Sequence, residues 1–367
     1  MKTRPTELIV NIQSIINNYN KIQELQPDKK ILPVLKADGY GIGLEAVKVL
    51  IDKLKLDVVG TATVDEGIEL RDNLHYNKDI IVLNQPSIEE IQNIVNYNIT
   101  VGCCYIEFLE TLDKTAETAN KKAKVHIEIE TGMGRTGVQE QNLASFIDKA
   151  ITLNNIEIEG LYTHFATSDT DLTYTREQIN KFENTVEFIK SKISTIKCVH
   201  CGNSGAILQI NNLPGNMIRP GIMLYGYYPD ENLKSKVELY PSSILKSKVT
   251  FIKEVEKDTS IGYGRTYITN KRTKIANVPI GYADGISRSL SNKGNVVLNG
   301  KLAPIVGTVC MDSLMIDVTN IDNTKIDDEV YIWDNKNITV EQIAKECDTI
   351  NYEILTRVSN RVIRKIV

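Results

Sequence analysis

Apolar residues follow two rhythms along this chain. Through residues 31–222, short runs of consecutive apolar side chains alternate with longer stretches in which apolar positions recur every three or four residues. The runs at 31–36, 57–61, 79–83, 100–103, 125–130, 158–163, 196–200 and 217–222 read as strands. The stretches at 44–54, 88–97 and 177–191 read as amphipathic helices. Eight strands separated by helical crossovers predict an α/β architecture, a (β/α)8 TIM barrel. From about residue 242 the rhythm changes to alternation with turn residues, which predicts strands at 246–252, 274–278, 296–297, 303–309, 314–318 and 329–333. The chain thus divides into an N-terminal barrel, residues 1–235, and a C-terminal mainly β domain, residues 236–367, with a linker near 230–242. The segment 7–10 precedes the first barrel helix and is placed to pair with the β domain.

Composition narrows the function classes. A chain of 367 residues, 42% hydrophobic and 25% charged, has a globular composition and enough length for those two domains. A net charge of -4 gives no electrostatic reason for nucleic acid or an anionic membrane as partner. No apolar run approaches a membrane span, and Met1-Lys2-Thr3-Arg4-Pro5 has no signal-peptide core, so the expected location is the cytoplasm. Six cysteines without regular spacing fit reduced thiols. Cys198-x-x-Cys201 has the spacing of half a zinc site, but no second pair accompanies it and no metal is expected.

A barrel carries its chemistry at the C-terminal ends of its strands and in the loops that follow. Lys36, Arg135, His164, Asn203, Ser204 and Gly221 all fall there. Lys36 closes an apolar strand and opens Ala37-Asp38-Gly39-Tyr40-Gly41-Ile42-Gly43, a loop of unusually free backbone. An ammonium at the end of a buried strand loses hydration, so its pKa falls and the neutral amine can form a Schiff base with an aldehyde cofactor. On these residues alone two other readings stay open. One is a lysine that snorkels to water beside a flexible turn. The other is a dinucleotide loop on Gly39, Gly41 and Gly43 followed by Asp65, although its spacing is G-x-G-x-G and not G-x-G-x-x-G.

Further along stand Gly132-Met133-Gly134-Arg135-Thr136-Gly137, Thr163-His164-Phe165-Ala166-Thr167, Asn203-Ser204, Arg219-Pro220-Gly221-Ile222, Gly262-Tyr263-Gly264-Arg265, Gly281-Tyr282-Ala283-Asp284-Gly285, Cys310-Met311-Asp312 and Asn351-Tyr352-Glu353. With Arg4-Pro5-Thr6 and the Lys36 loop, these motifs in this order resemble the alanine racemases, pyridoxal-phosphate enzymes of the barrel-plus-β-domain type, and the likeness runs end to end.

The resemblance implies pyridoxal 5'-phosphate as cofactor, with Lys36 as the Schiff-base lysine. Tyr40, Ser204, Tyr352 and the backbone of Gly221 and Ile222 would surround its phosphate, and Asn203, His164 and Arg219 would complete the cofactor site. An arginine cannot accept the pyridine proton, so the ring nitrogen would stay neutral and the weaker electron sink would favour proton exchange over transamination. Lys36 and Tyr263 would serve the two faces of the α-carbon, Tyr263 coming from the partner subunit, with His164 and Arg219 tuning the phenol. Arg135 and the backbone after Met311 would receive the substrate carboxylate, and Tyr282 and Tyr352 would crowd its side chain. Glu128, Asp169, Arg288 and Asp312 would support or gate the site.

Three positions depart from the family pattern. Ile42 stands where histidine is usual, Thr308 where an entrance arginine is common, and Glu128 where many members carry a carbamylated lysine. Glutamate is already the anion that carbon dioxide must otherwise make. Strand alternation turns Glu128 inward with His126 and Glu130, and a charge-assisted bond to Arg135, with bidentate geometry open to it, is the expected arrangement. The implied activity is interconversion of L- and D-alanine by a homodimer with shared active sites. A serine or broad-specificity racemase of the same fold is the alternative, which the bulky Tyr352 disfavours. A noncatalytic pyridoxal-phosphate-binding barrel and a dinucleotide-dependent dehydrogenase stand further off.

Overall fold

Strand β1 (Glu7–Val10) belongs to the β-rich part of the chain, and the next eight strands form one parallel sheet. These are β2 (Lys30–Ile31), β3 (Val58–Thr61), β4 (Asp79–Val82), β5 (Thr100–Cys103), β6 (Ala123–Glu128), β7 (Ile156–Tyr162), β8 (Cys198–Gly202) and β9 (Met217–Ile218). Their order is β2-β9-β8-β7-β6-β5-β4-β3, and a parallel bridge between Val34 and Gly60 joins the two ends into a TIM-like barrel. This computed structural model describes residues 3–367. It falls into two units, one of Ile16–Ala37 with Lys48–Tyr240, the other of the residues up to Ile15, Asp38–Val47 and Pro241–Val367.

The first barrel strand is shorter than its apolar run. Pro33 has no N–H to donate, so the ladder on the β3 flank breaks there, while the β9 flank runs on. The segment still donates from Lys30, Leu32 and Val34 to the carbonyls of Asn216, Ile218 and Pro220, at 2.9, 2.8 and 3.0 Å. On its other side Leu35 N–H reaches Gly60 O at 2.8 Å, and Gly60 N–H reaches Pro33 O at 2.9 Å. The residues just before Lys36 are therefore held from both flanks. Leu32, Val58, Ile81 and Met217 fill one end of the barrel. Cys198 and Cys201 stand three apart on β8, which turns their side chains to opposite faces.

The second unit holds a six-stranded sheet in the order Lys301–Pro304, Asn295–Leu298, Glu329–Trp333, Ser243–Lys248, β1, Ile363–Ile366. A three-stranded sheet of Phe251–Val255, Thr273–Val278 and Leu314–Asp317 accompanies it. The single strand expected at 246–252 is two strands in two sheets. At the corner Val249 N–H bonds Asp328 O and Thr250 N–H bonds Asn277 O, one partner toward each sheet. Alternation runs on through this corner, so periodicity alone does not reveal it.

Candidate active site

Lys36 opens a turn in which Ala37, Asp38, Gly39, Tyr40 and Gly41 all have positive φ, at 52, 53, 63, 55 and 88°. Left-handed backbone costs roughly 1–2 kcal/mol for each residue carrying a Cβ. Three of the five carry one, so the surroundings impose this turn. The Lys36 side chain reaches solvent. Crowding by protein nevertheless lowers its pKa, as does the charge of Arg135; Glu66 opposes the shift and Arg219 adds to it. Its neutral amine is correspondingly easier to reach.

Arg219 follows β9 and is 3% exposed. Its hydrogen-bond partners among the described residues are carbonyls and imidazoles, with no carboxylate. Nη1 meets His200 Nδ1 and His200 O at 2.8 Å each, while Nη2 meets Thr163 O at 2.7 Å and His164 Nδ1 and Cys201 O at 3.3 Å. A guanidinium only donates, so His200 Nδ1 accepts and its Nε2 carries the proton, which it gives to His126 Nδ1 at 2.7 Å. Burial and the adjacent guanidinium keep His200 and His164 well below the usual histidine range, and His126 is pushed down to about 3. His200 stacks on Tyr162 with centroids 5.1 Å apart. The result is a rigid, un-neutralised positive charge.

The last two barrel strands end in a cluster suited to an anion. Asn203 caps the short helix Ser204–Gln209, its Oδ1 accepting from Ala206 N–H at 3.1 Å and from the Ser168 hydroxyl at 2.6 Å. Ser204 Oγ accepts from the N–H groups of Gly221 and Met223 at 3.0 and 3.4 Å. Ile222 begins the adjoining turn Ile222–Tyr225, and Asp169 follows Ser168 in the loop after β7. A hydroxyl with convergent backbone N–H groups is a common phosphate seat in barrels.

The expected bidentate bond between Glu128 and Arg135 is not what the structure holds. Arg135 Nη2 lies 3.7 Å from Glu128 Oε1, an ion pair too long for a hydrogen bond. Oε2 accepts instead from the Thr136 hydroxyl at 2.8 Å and the Tyr162 hydroxyl at 3.2 Å. The reason is exposure: the arginine side chain stays 43% open to water, while two nearer hydroxyls satisfy the buried carboxylate. Glu130 accepts from the N–H groups of Gly132 and Gly134, which shapes the glycine loop before Arg135.

In the second unit Tyr263 sits between the short paired strands Ser260–Ile261 and Tyr267–Ile268 and is 73% exposed. Gly262 and Gly264, at φ 75 and 72°, make its turn. Thr308, in the place of the expected arginine, donates its hydroxyl to Tyr263 O at 2.9 Å and so braces that turn. Tyr282 and Met311 are exposed on neighbouring loops, tied by Tyr282 N–H to Cys310 O and Ala283 N–H to Met311 O at 3.0 Å each. Gly281 permits this approach, since a Cβ there would lie 2.3 Å from Cys310 O. Asp312 pairs with Arg361 at 2.7 Å, and Arg288 lies exposed on the turn Arg288–Leu290. The rings of Tyr40 and Tyr352 lie tilted by 48° to each other with centroids 6.1 Å apart.

Two family models match this chain, the alanine racemase N-terminal domain over residues 10–229 and the C-terminal domain over residues 243–366. "Alanine racemase 2" of Caldanaerobacter subterraneus is 40% identical, covering 98% of this chain and 94% of its own length. The alanine racemase of Halothermothrix orenii is 39% identical over 99% of this chain and 97% of its own. The solved alanine racemase of Clostridium difficile superposes with a TM-score of 0.91 at 37% identity, over 98% of this chain and 95% of that one. The chain belongs to the alanine racemase family.

Within this alanine racemase fold, several residues escape sequence reading. His200 and Tyr162 are buried, His200 against His126, which alternation already turns inward, yet each of the two sits in an apolar strand run and reads there as core. Arg4 and Asp284 are visible only as members of family motifs. Asp284 is fully buried and takes Arg4 through both oxygens, at 2.5 and 2.9 Å, and also accepts from Gly281 N–H at 2.9 Å. Asp284→Ala should therefore lower stability by about 3 kcal/mol, the scale for breaking a buried pair. Chemical denaturation reads this directly, and an unchanged midpoint would refute it.

Proposed function

We propose that this member of the alanine racemase family interconverts L- and D-alanine with pyridoxal 5'-phosphate as cofactor, in a homodimer whose active sites are shared. The observation that carries the reading is Arg219, a buried guanidinium fixed by carbonyls and imidazoles and not neutralised by a carboxylate. A lysine with a lowered pKa and the Ser204–Gly221 cluster belong to the same unit, and together they suit an aldehyde, a pyridine nitrogen and a phosphate. Lys36 would hold the cofactor covalently, Arg219 its ring nitrogen, and Ser204 and Gly221 its phosphate, with Tyr40 and Tyr352 as further phosphate ligands. When bound, the cofactor supplies an electron sink for negative charge at the α-carbon.

The chain's own groups then divide the work. Lys36 Nζ moves a proton on one face of the α-carbon and Tyr263 Oη on the other. Arg219 donates and takes no proton, so a pyridine nitrogen held against it would stay unprotonated. Arg135 binds the substrate carboxylate, and Tyr282 and Tyr352 limit its side chain to a methyl. Tyr263, Phe251 and Met311 are large, exposed and carried by one unit, and Phe251 and Tyr263 line one groove, which supports a partner surface there. No helix among the described residues is long and apolar enough to cross a membrane, and we place the protein in the cytoplasm.

Incubation with L-alanine and enzymatic assay of D-alanine, with serine in parallel, tests the reading. A preference for alanine is the expected result; equal kcat/KM for serine would favour the broad-specificity alternative. Glu128→Gln should raise KM for alanine about fivefold, or ~1 kcal/mol for a pair half open to water. Activity of the unaltered protein should not respond to bicarbonate. An unmoved KM, or activation by bicarbonate, would count against Glu128 as the standing anion beside Arg135.

A further inference from the structure

The carboxylate of Glu66 makes more contacts than its helix requires. Thr63 and Glu66 form a capping box on the helix Val64–Leu74, with Glu66 N–H bonded to Thr63 Oγ1 at 3.2 Å and Thr63 N–H to Glu66 Oε2 at 3.3 Å. One oxygen suffices for that motif. Here Oε2 also takes Ala62 N–H at 2.7 Å, and Oε1 takes the N–H of Ala37 at 2.7 Å, 29 residues away in sequence. Ala37 is the residue after Lys36 and the first of the five left-handed residues. The residue before Lys36 is fixed as well, through Leu35 N–H to Gly60 O. The backbone of Lys36 is thus pinned on one side by β3 and on the other by the first turn of the helix after β3.

We infer that Glu66 is a positioning residue for Lys36: it anchors the strained turn at Ala37 and sets a negative charge beside a lysine otherwise surrounded by cations. The inference rests on Lys36 as the working amine. A capping role alone would leave Oε1 idle, and a charge role alone would not need the hydrogen bond to Ala37. The groups facing Lys36 are Arg135 and Arg219, which disfavour its ammonium, Glu66, which favours it, and His164, which burial keeps neutral. Glu66 is the anion in that set, so it opposes the fall that burial and Arg135 impose on the lysine pKa. Too low a value would leave Lys36 without a proton to return to the α-carbon; too high a value would leave it unable to take one.

The test uses the full-length, cofactor-free chain, so that it reads Lys36 itself whether or not that lysine carries a cofactor. Lys36 is acylated with acetic anhydride across a range of pH, its modification is measured by mass spectrometry, and Ala37 amide exchange is followed in parallel. Glu66→Gln should lower the apparent Lys36 pKa by about one unit. It should also speed exchange at Ala37 about tenfold, as expected for loss of one charge-assisted hydrogen bond. Thr63→Ala removes the other half of the capping box and leaves the Ala37 contact, so it should weaken the helix and move neither readout. If Glu66→Gln does not fold, Glu66→Asp, which keeps the charge but is too short to span both anchors, should lose the Ala37 protection. Unchanged readouts in the Glu66 variants, or Thr63→Ala shifting them as much, would overturn the inference. Retained racemisation by Lys36→Ala would instead overturn the assignment of Lys36 and leave these measurements standing.

Discussion

Lys36→Ala is expected to abolish racemisation in both directions and, in the same variant, the visible absorption of a lysine-bound pyridoxal. Activity should fall below about a thousandth, since on the proposed roles one substitution removes both the covalent attachment and a proton-transfer group, each worth orders of magnitude. The fold should survive. The Lys36 side chain reaches solvent and makes no hydrogen bond among the described residues, while the strained turn after it is held through backbone, by Glu66 at Ala37 N–H and by Arg364 at Gly41 O. Circular dichroism and the denaturation midpoint should therefore match the unaltered protein. Loss of the absorption band with activity retained would show a lysine that only holds the cofactor. Retention of both would show that another lysine does the work.

How much of this site is legible in sequence follows from the range of each interaction. Lys36 was legible because it ends an apolar run, and the glycines after it signal an unusual turn. The left-handed conformation of Ala37, Asp38 and Tyr40 was not, because nothing in those residue types asks for it and the contacts that impose it are distant in sequence. Thr63-x-x-Glu66 is readable as a capping box, but its second oxygen bonding Ala37 is not. The barrel strands were legible because most of their residues are buried and apolar, in short runs separated by helical stretches. The break at Pro33 was foreseeable from chemistry, whereas the corner at residues 249–250 was hidden by alternation that continues through it. Glu128 facing inward followed from alternation. Its partners did not, because the choice among an arginine, a threonine and a tyrosine depends on reach and burial.

The second large effect concerns Tyr263. It is 73% exposed on a turn that two left-handed glycines permit and the Thr308 hydroxyl braces, an arrangement that holds a phenol in the open instead of covering it with its own unit. A large aromatic held this way costs solvation unless a partner covers it. On the proposal that the partner's barrel does so, Lys36→Ala and Tyr263→Ala subunits are each inactive alone. After equal mixing and random exchange, half the dimers are mixed, and each mixed dimer has one site with both side chains intact and one with neither. About a quarter of the sites should then recover, a ratio fixed by two-fold symmetry. Recovery should follow the kinetics of subunit exchange and cease if the dimers are cross-linked before mixing. Exchange demonstrated by native mass spectrometry without any return of activity would mean that each subunit builds its site from its own Tyr263, and activity of Tyr263→Ala alone would mean that this phenol does not take part.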